Sequence, residues 1–106
     1  MTQYSRGASF EREVVAHFRE RGFYATRTAG SHTPIDVIAF DASSVYLVQC
    51  KRGTLTKPEL ERAKEALREV AFPYLYHNEA LPPVGMQPYR EVWVRMGKGE
   101  WARHEA

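Results

Sequence analysis

Three residue types that can work on a phosphodiester fall at one end of one sheet face. They lie in the segments Asp36-Val37-Ile38-Ala39-Phe40 and Val45-Tyr46-Leu47-Val48-Gln49-Cys50-Lys51. Strand side chains alternate between faces, so Gln49 and Lys51 point the same way. A turn centred between Ala42 and Ser43 sets Asp36 across from Gln49, Ile38 across from Leu47 and Phe40 across from Val45. The opposite face then carries Val37, Ala39, Tyr46, Val48 and Cys50. A sheet apolar on both faces needs cover on both. A carboxylate, an amide oxygen and a lysine around a divalent ion form a recurrent arrangement for phosphodiester hydrolysis.

A fourth group comes from the first helix, expected from a Ser9 cap to about Arg21, with Gly22 ending it. Phe10, Val14, Val15 and Phe18 share an arc of about 140° on that helix. Glu11 falls inside the arc, whereas Glu13 and Glu20 fall outside it. A carboxylate on a buried stripe is costly unless it is paired or bound to a metal. Two readings of Glu11 follow: an ion pair with a nearby arginine such as Arg27, or a place beside a cation. Glu11, Asp36 and the Gln49 oxygen suit Mg²⁺, which prefers oxygen ligands and keeps several waters. Lys51 can then orient the attacking water or stabilise charge in the transition state.

The elements that must position these groups are legible in outline. Residues 1–8 read as a flexible basic arm containing Arg6, and Phe23 to Thr28 reads as a first strand. Residues 29–34 read as a loop broken by Gly30 and Pro34. A second helix is expected from about Lys57 to Ala71, with Thr56 as cap, Pro58 in the first turn and Glu59 completing a capping box. Pro73 ends it. Tyr74 to Tyr76 is a candidate strand, and Glu91–Arg95 with Glu100–Arg103 a last hairpin turning at residues 97–99. Helix, strands, helix, strands gives an α/β domain with a mixed central sheet flanked by helices. The second helix has its own apolar stripe of Leu60, Ala63, Leu67, Val70 and Ala71, and its other face reads as structural.

The 106 residues fit a single domain. No apolar run approaches the roughly 18 residues of a membrane span, and no apolar signal segment opens the chain. The one cysteine, Cys50, allows no internal disulfide and no cysteine-rich metal site, so the expected compartment is the cytoplasm. Histidines 17, 32, 77 and 104 lack zinc spacing. Net charge is only +2, but residues 1–35 hold five Arg against three Glu while the remainder balances. The surplus lies beside the candidate site, which favours a polyanionic partner. His32 and Arg52 are candidates for phosphate contact, each with a plain surface role as the alternative. Trp93, Trp101, Tyr74 and Tyr76 read as core or dimer packing rather than a base-stacking platform.

Four segments carry a resemblance. They are Arg6-Gly7-Ala8-Ser9-Phe10-Glu11-Arg12-Glu13, Gly22 to Ser31 with its Arg27-Thr28-Ala29-Gly30-Ser31 run, Ile35 to Ala39, and Gln49-Cys50-Lys51-Arg52. Together they resemble the archaeal-type Holliday junction resolvases of the PD-(D/E)xK nuclease superfamily, over about the first half of the chain. The resemblance implies a restriction-endonuclease-like core and a symmetric homodimer that nicks two opposing strands of a four-way DNA junction. It implies a helix carboxylate near the metal at Glu11, the principal metal ligand at Asp36 and the catalytic lysine at Lys51. Arg27 and Ser31 match a backbone-contacting arginine and a loop serine, and Arg6 matches a basic residue of a DNA-gripping arm. The chain departs at Gln49, where the family usually has Glu. Glutamine keeps an oxygen ligand but removes one negative charge, which weakens metal attraction and can shift preference toward Mn²⁺.

The expectation is therefore a metal-dependent, structure-selective DNA endonuclease. Two alternatives stand beside it: a restriction- or repair-type nuclease of the same fold, and a non-catalytic junction-binding module with a decayed site.

Overall fold

The computed structural model of the chain describes residues 3–28, 33–70, 85–97 and 99–106, with side chains described from Ala8 onward. Helix α1 spans Gln3–Glu20, β1 Tyr24–Arg27, β2 Val37–Phe40 and β3 Ser44–Arg52. Helix α2 spans Lys57–Arg68, β4 Gln87–Gly97 and β5 Glu100–Glu105. The five strands form one sheet in the order β1-β2-β3-β4-β5. Only β3 and β4 run parallel, and α2 lies in the connection between them. Parallel neighbours cannot be joined by a tight turn, so a crossover helix here is the expected solution.

The β2–β3 register pairs Ile38 with Leu47 and Phe40 with Val45, as the sequence spacing predicts. Asp41 closes the turn. Its Oδ1 accepts from the Ser43 and Ser44 backbone N–H groups at 2.9 and 2.8 Å, and its own N–H donates to the Ser44 carbonyl at 3.0 Å. An acid that holds two backbone donors fixes a two-residue connection, and with it every pairing farther along the hairpin. The same donors hold the Asp41 carboxyl below its usual range.

Both sheet faces are covered. Phe10, Val14, Val15 and Phe18 of α1 pack on Ala25, Val37, Ala39, Val48 and Trp93. Ala63 and Leu67 of α2 pack on Ile35, Val45, Leu47, Val92 and Val94. Thr56 caps α2 through its hydroxyl, which accepts from the Glu59 N–H at 3.3 Å and donates to Glu59 Oε1 at 2.9 Å.

The structure corrects three boundaries. The expected flexible arm at residues 1–8 is helical from Gln3, so Arg6 lies on α1 and Ser9 sits inside the helix rather than capping it. Gly7 costs such a helix about 1 kcal/mol, but Ala8 is buried, and tertiary packing overrides the local preference. Helix α2 ends at Arg68, before the expected Ala71, with Glu69 as C-cap. There the Val70 carbonyl accepts from Arg90 Nη2 of β4 at 2.7 Å, which ties the segment after the helix to the sheet. The last hairpin is longer than expected, with Met96 left out of the pairing between Arg95↔Trp101 and Gly97↔Glu100. The candidate strand at residues 74–76 lies outside the described residues.

Beneath α1, His17 sits among aromatic rings, 5.1 Å from the Trp93 centroid and 5.4 Å from that of Trp101. Burial, then the charges of Arg21 and Arg103, hold its pKa below 6.5, against a smaller opposing pull from Glu20. The unfolded chain therefore takes up a proton before the folded one as pH falls below 6.5, and stability declines with it. Thermal melts of the protein and of His17→Phe between pH 5 and 8 check this. The decline below pH 6.5 should flatten in the variant. Truncation of the fully buried Leu67 to Ala should cost about 2–5 kcal/mol in denaturant melts, because it removes the main anchor of α2 on the sheet.

Candidate active site

The β2–β3 hairpin brings the acid to the amide-x-lysine segment. Asp36 stands one residue before β2, and its backbone N–H donates to the Val48 carbonyl at 2.8 Å. Its Oδ2 accepts from the Cys50 N–H at 2.8 Å. Asp36 is thus fixed twice to β3, on either side of Gln49. Thr28 follows the end of β1 and closes the same corner, with its N–H donating to the Asp36 carbonyl at 3.0 Å and its hydroxyl to the Ile35 carbonyl.

Helix α1 delivers Glu11, whose Oε1 accepts from Arg27 Nε at 3.0 Å, with each side chain about four-fifths buried. The ion pair that the sequence allowed for Glu11 is formed. It does not remove Glu11 from the Asp36 environment. Burial raises the Asp36 carboxyl above its ordinary range and the negative charge of Glu11 adds to that, while the Cys50 N–H, Lys51 and Arg27 oppose it. Four charged groups from α1, β1, β3 and the start of β2 therefore feel one another. Burial, with Asp36 and Glu11 nearby, pushes the Cys50 thiol far above its usual range. Cys50 stays a neutral core residue packed on the α1 side, as its place in the alternation predicts.

Gln49 and Lys51 line a cleft of about 350 Å³ between β3 and α2, together with Leu55, Glu59, Arg62, Ala63 and Ala66. Gln49 Oε1 is fully buried and accepts no hydrogen bond among the described residues. A buried acceptor left this way costs about 1–3 kcal/mol, so it marks a place where a donor or cation fits. Asp36 Oδ1 likewise accepts no hydrogen bond among the described residues, Oδ2 being the oxygen held by Cys50. The described residues contain no cluster of three or more His, Cys, Asp or Glu side chains suited to a metal. The oxygen donors at this end of the sheet are two carboxylates and one amide.

A second groove, about 710 Å³, runs between α1 and β1 and is lined by Arg12, Val15, Ala16, Arg19, Glu20, Thr26 and Arg27. Arg19 donates through Nε and Nη2 to the Ala25 carbonyl at 3.1 and 2.9 Å. Strand β1 is a sheet edge, and this guanidinium occupies an outward-facing carbonyl that would otherwise invite another strand. Arg12 and Arg19 escaped the sequence reading, although their spacing of seven on one helix puts them on one side of it. Glu59 and Arg62 escaped it too, because the outer face of α2 read as structural. Arg52 ends β3 on the exposed surface, opposite Arg95 of β4. Ser31 and His32, like the side chain of Arg6, lie outside what is described.

An α/β domain with an acid at the head of β2, an amide-x-lysine on β3 and a carboxylate from α1 has the resolvase type of nuclease fold. The chain belongs to the archaeal Holliday junction resolvase family, since the model of that family, described as "Archaeal holliday junction resolvase (hjc)", matches residues 2–94. It is 38% identical over 55 residues to the crossover junction endodeoxyribonuclease Hjc of Methanocaldococcus jannaschii, an alignment covering 52% of this chain and 41% of that protein. The chain thus spans less than half the length of that curated relative. The fold is also that of Archaeoglobus fulgidus Hjc, a Holliday junction resolvase from an archaeal hyperthermophile, with a TM-score of 0.58 at 20% identity. That superposition covers 94% of this chain and 72% of the other.

A half-buried carboxylate whose pKa is raised by its surroundings subtracts from stability at neutral pH. Asp36→Asn keeps an oxygen for the Cys50 N–H and removes the charge. Its melting temperature at pH 7 in chelator should exceed that of the parent protein, as measured by calorimetry. A fall would mean that the attraction of Lys51 and Arg27 outweighs the burial cost.

Proposed function

We propose that the protein is a metal-dependent endonuclease that resolves four-way DNA junctions by paired symmetric nicks, acting as a homodimer. Family membership supports the substrate class. One observation carries the catalytic reading: a half-buried Asp36 carboxylate is held by the Cys50 N–H between Gln49 and Lys51, where partial burial and the charge of Glu11 oppose its ionisation. Such an arrangement is retained for chemistry rather than for stability.

Asp36, Glu11 and Gln49 Oε1 would hold Mg²⁺, with Mn²⁺ as a substitute. The donor set fits, being all oxygen, with the Gln49 acceptor lacking a partner among the described residues. Such an ion supplies charge neutralisation at the phosphate and a lower pKa for water. The chain's own residues do the rest. The Cys50 N–H fixes one Asp36 oxygen and so aims the other. Lys51, on the Gln49 side of β3, places a positive charge where the pentacovalent phosphate builds negative charge. Arg27 restrains Glu11 through their ion pair and lines the arginine groove beside it. Arg6, Arg27, Ser31, His32 and Arg52 would contact the DNA backbone, which gives grip by shape and phosphate rather than by base readout. Two nicks in one junction need two such sites, hence a dimer with one site per subunit. No helix among the described residues is long and apolar enough to cross a membrane.

The experiment is cleavage of an end-labelled immobile four-way junction beside linear duplex of the same sequence, in Mg²⁺, in Mn²⁺ and in chelator. Paired symmetric nicks in the junction alone, lost in chelator and in Asp36→Ala, are expected. Nicks in plain duplex would point to a restriction or repair nuclease. Junction binding without nicks in either metal would favour a decayed module, a reading to which the uncharged Gln49 lends itself. Binding should weaken steeply with salt, and Arg27→Ala should lower the slope of log K against log salt by about one.

A further inference from the structure

The cleft between β3 and α2 carries more positive than negative charge, and one of its cations has no task in the reading above. Lys51 from β3 and Arg62 from α2 line it against the single carboxylate of Glu59. The helical neighbours of Arg62 explain why it stays uncommitted. Four residues away in either direction stand Pro58 and Ala66, which carry no charge. Three residues away stand Glu59 and Glu65. Glu65 is held by Arg68 at 2.6 Å. Glu59 is engaged in the capping box, its Oε1 accepting from the Thr56 hydroxyl at 2.9 Å. Lys64 pairs with Glu61 at 3.6 Å, whereas the exposed Arg62 forms no ion pair among the described residues.

Lys51 belongs to two places at once. It lines this cleft, and its charge acts on the Asp36 carboxyl. The cleft therefore starts at the acid end of the sheet and reaches Arg62 on α2. Ala63 and Ala66, in the same lining, end at Cβ and leave the space of about 350 Å³ open. The excess of positive charge favours an anion. A planar guanidinium can hold two oxygens of one phosphate, and a lysine beside it adds a point charge.

We propose that this cleft is a phosphate-binding track for the DNA strand being cut, in which Arg62 grips a backbone phosphate close to the one that Lys51 meets. The proposal rests on the nuclease reading and deepens it. Arg62 then positions the strand from the helix side while Asp36 and Lys51 act from the sheet. The grip is to backbone alone, so it adds affinity and alignment without base preference. It also gives the exposed face of α2 a role beyond sealing the sheet with Ala63 and Leu67.

The substitution Arg62→Gln removes the charge at an exposed site and keeps helix propensity nearly unchanged. Lys57→Gln is the control, since it makes the same charge change on the same helix outside the cleft lining. Binding of the full chain to an immobile four-way junction is measured in chelator by fluorescence anisotropy. The junctions carry a single neutral methylphosphonate, moved one phosphate at a time through the five positions on each side of the branch point. Arg62→Gln should weaken binding to the unmodified junction about tenfold and lower the slope of log K against log salt by about one. At one position the methylphosphonate should weaken the parent by a similar factor and leave Arg62→Gln no weaker than before. Lys57→Gln should lose affinity at that position as the parent does. Arg62→Lys should recover part of the loss. Affinity in Arg62→Gln equal to that of the parent would overturn the proposal, as would losses that add at every position. A parent chain that binds the junction without nicking it in either metal would sink the nuclease reading alone, because the grip is read from binding. A parent chain that binds no junction would overturn both.

Discussion

The hydrogen bond from the Cys50 N–H to Asp36 Oδ2 is the constraint around which this end of the molecule is built. It ties the acid at the head of β2 to the backbone midway between Gln49 and Lys51. A backbone donor cannot rotate away, so the carboxylate is positioned by the sheet itself. The bond also offsets part of the burial cost that raises the Asp36 carboxyl. The register that makes the bond possible is set at the far end of the hairpin, where Asp41 holds the turn. A slip of one residue there would turn Gln49 and Lys51 to the α1 face and Cys50 to the cleft.

The two helices share the remaining work. Helix α1 buries Phe10, Val14, Val15 and Phe18 and carries Glu11 within the arc of that stripe. The Arg27 guanidinium lets the acid stay there by pairing with it, and breaking such a pair would leave a largely buried charge uncompensated. The same arginine damps the repulsion between Glu11 and Asp36. Helix α2 seals the other face through Ala63 and Leu67 and forms one wall of the cleft into which Gln49 and Lys51 project. Stability and function thus compete for the same surfaces: apolar stripes anchor the helices while their margins carry charge.

Much of the site was legible because strand alternation and helical periodicity are strict. Counting residues was enough to place Gln49 with Lys51, to pair Ile38 with Leu47, and to separate Glu11 from Glu13 and Glu20. Thr56, Pro58 and Glu59 gave the start of α2 because capping is a local, side-chain-to-backbone matter. Other features depended on contacts distant in sequence. The start of α1 at Gln3 follows from packing that local propensity at Gly7 argues against. The early end of α2 coincides with a bond from Arg90, twenty residues away. Glu59 and Arg62 looked like a solvated face until β3 stood opposite them.

By itself the sequence determined the β2–β3 register, the faces of its side chains, the capped start of α2 and the spacing of Asp36, Gln49 and Lys51 that resembles the family pattern. Each rests on short-range geometry: two residues per strand repeat, 3.6 per helical turn, one cap, one turn. Only the tertiary structure decided that Glu11 pairs with Arg27, that Gln49 Oε1 is buried without a donor among the described residues, and that Glu59 of α2 lines the same cleft. Those outcomes depend on how separate elements pack, and the burial that packing imposes converts an ordinary polar atom into one that needs a partner.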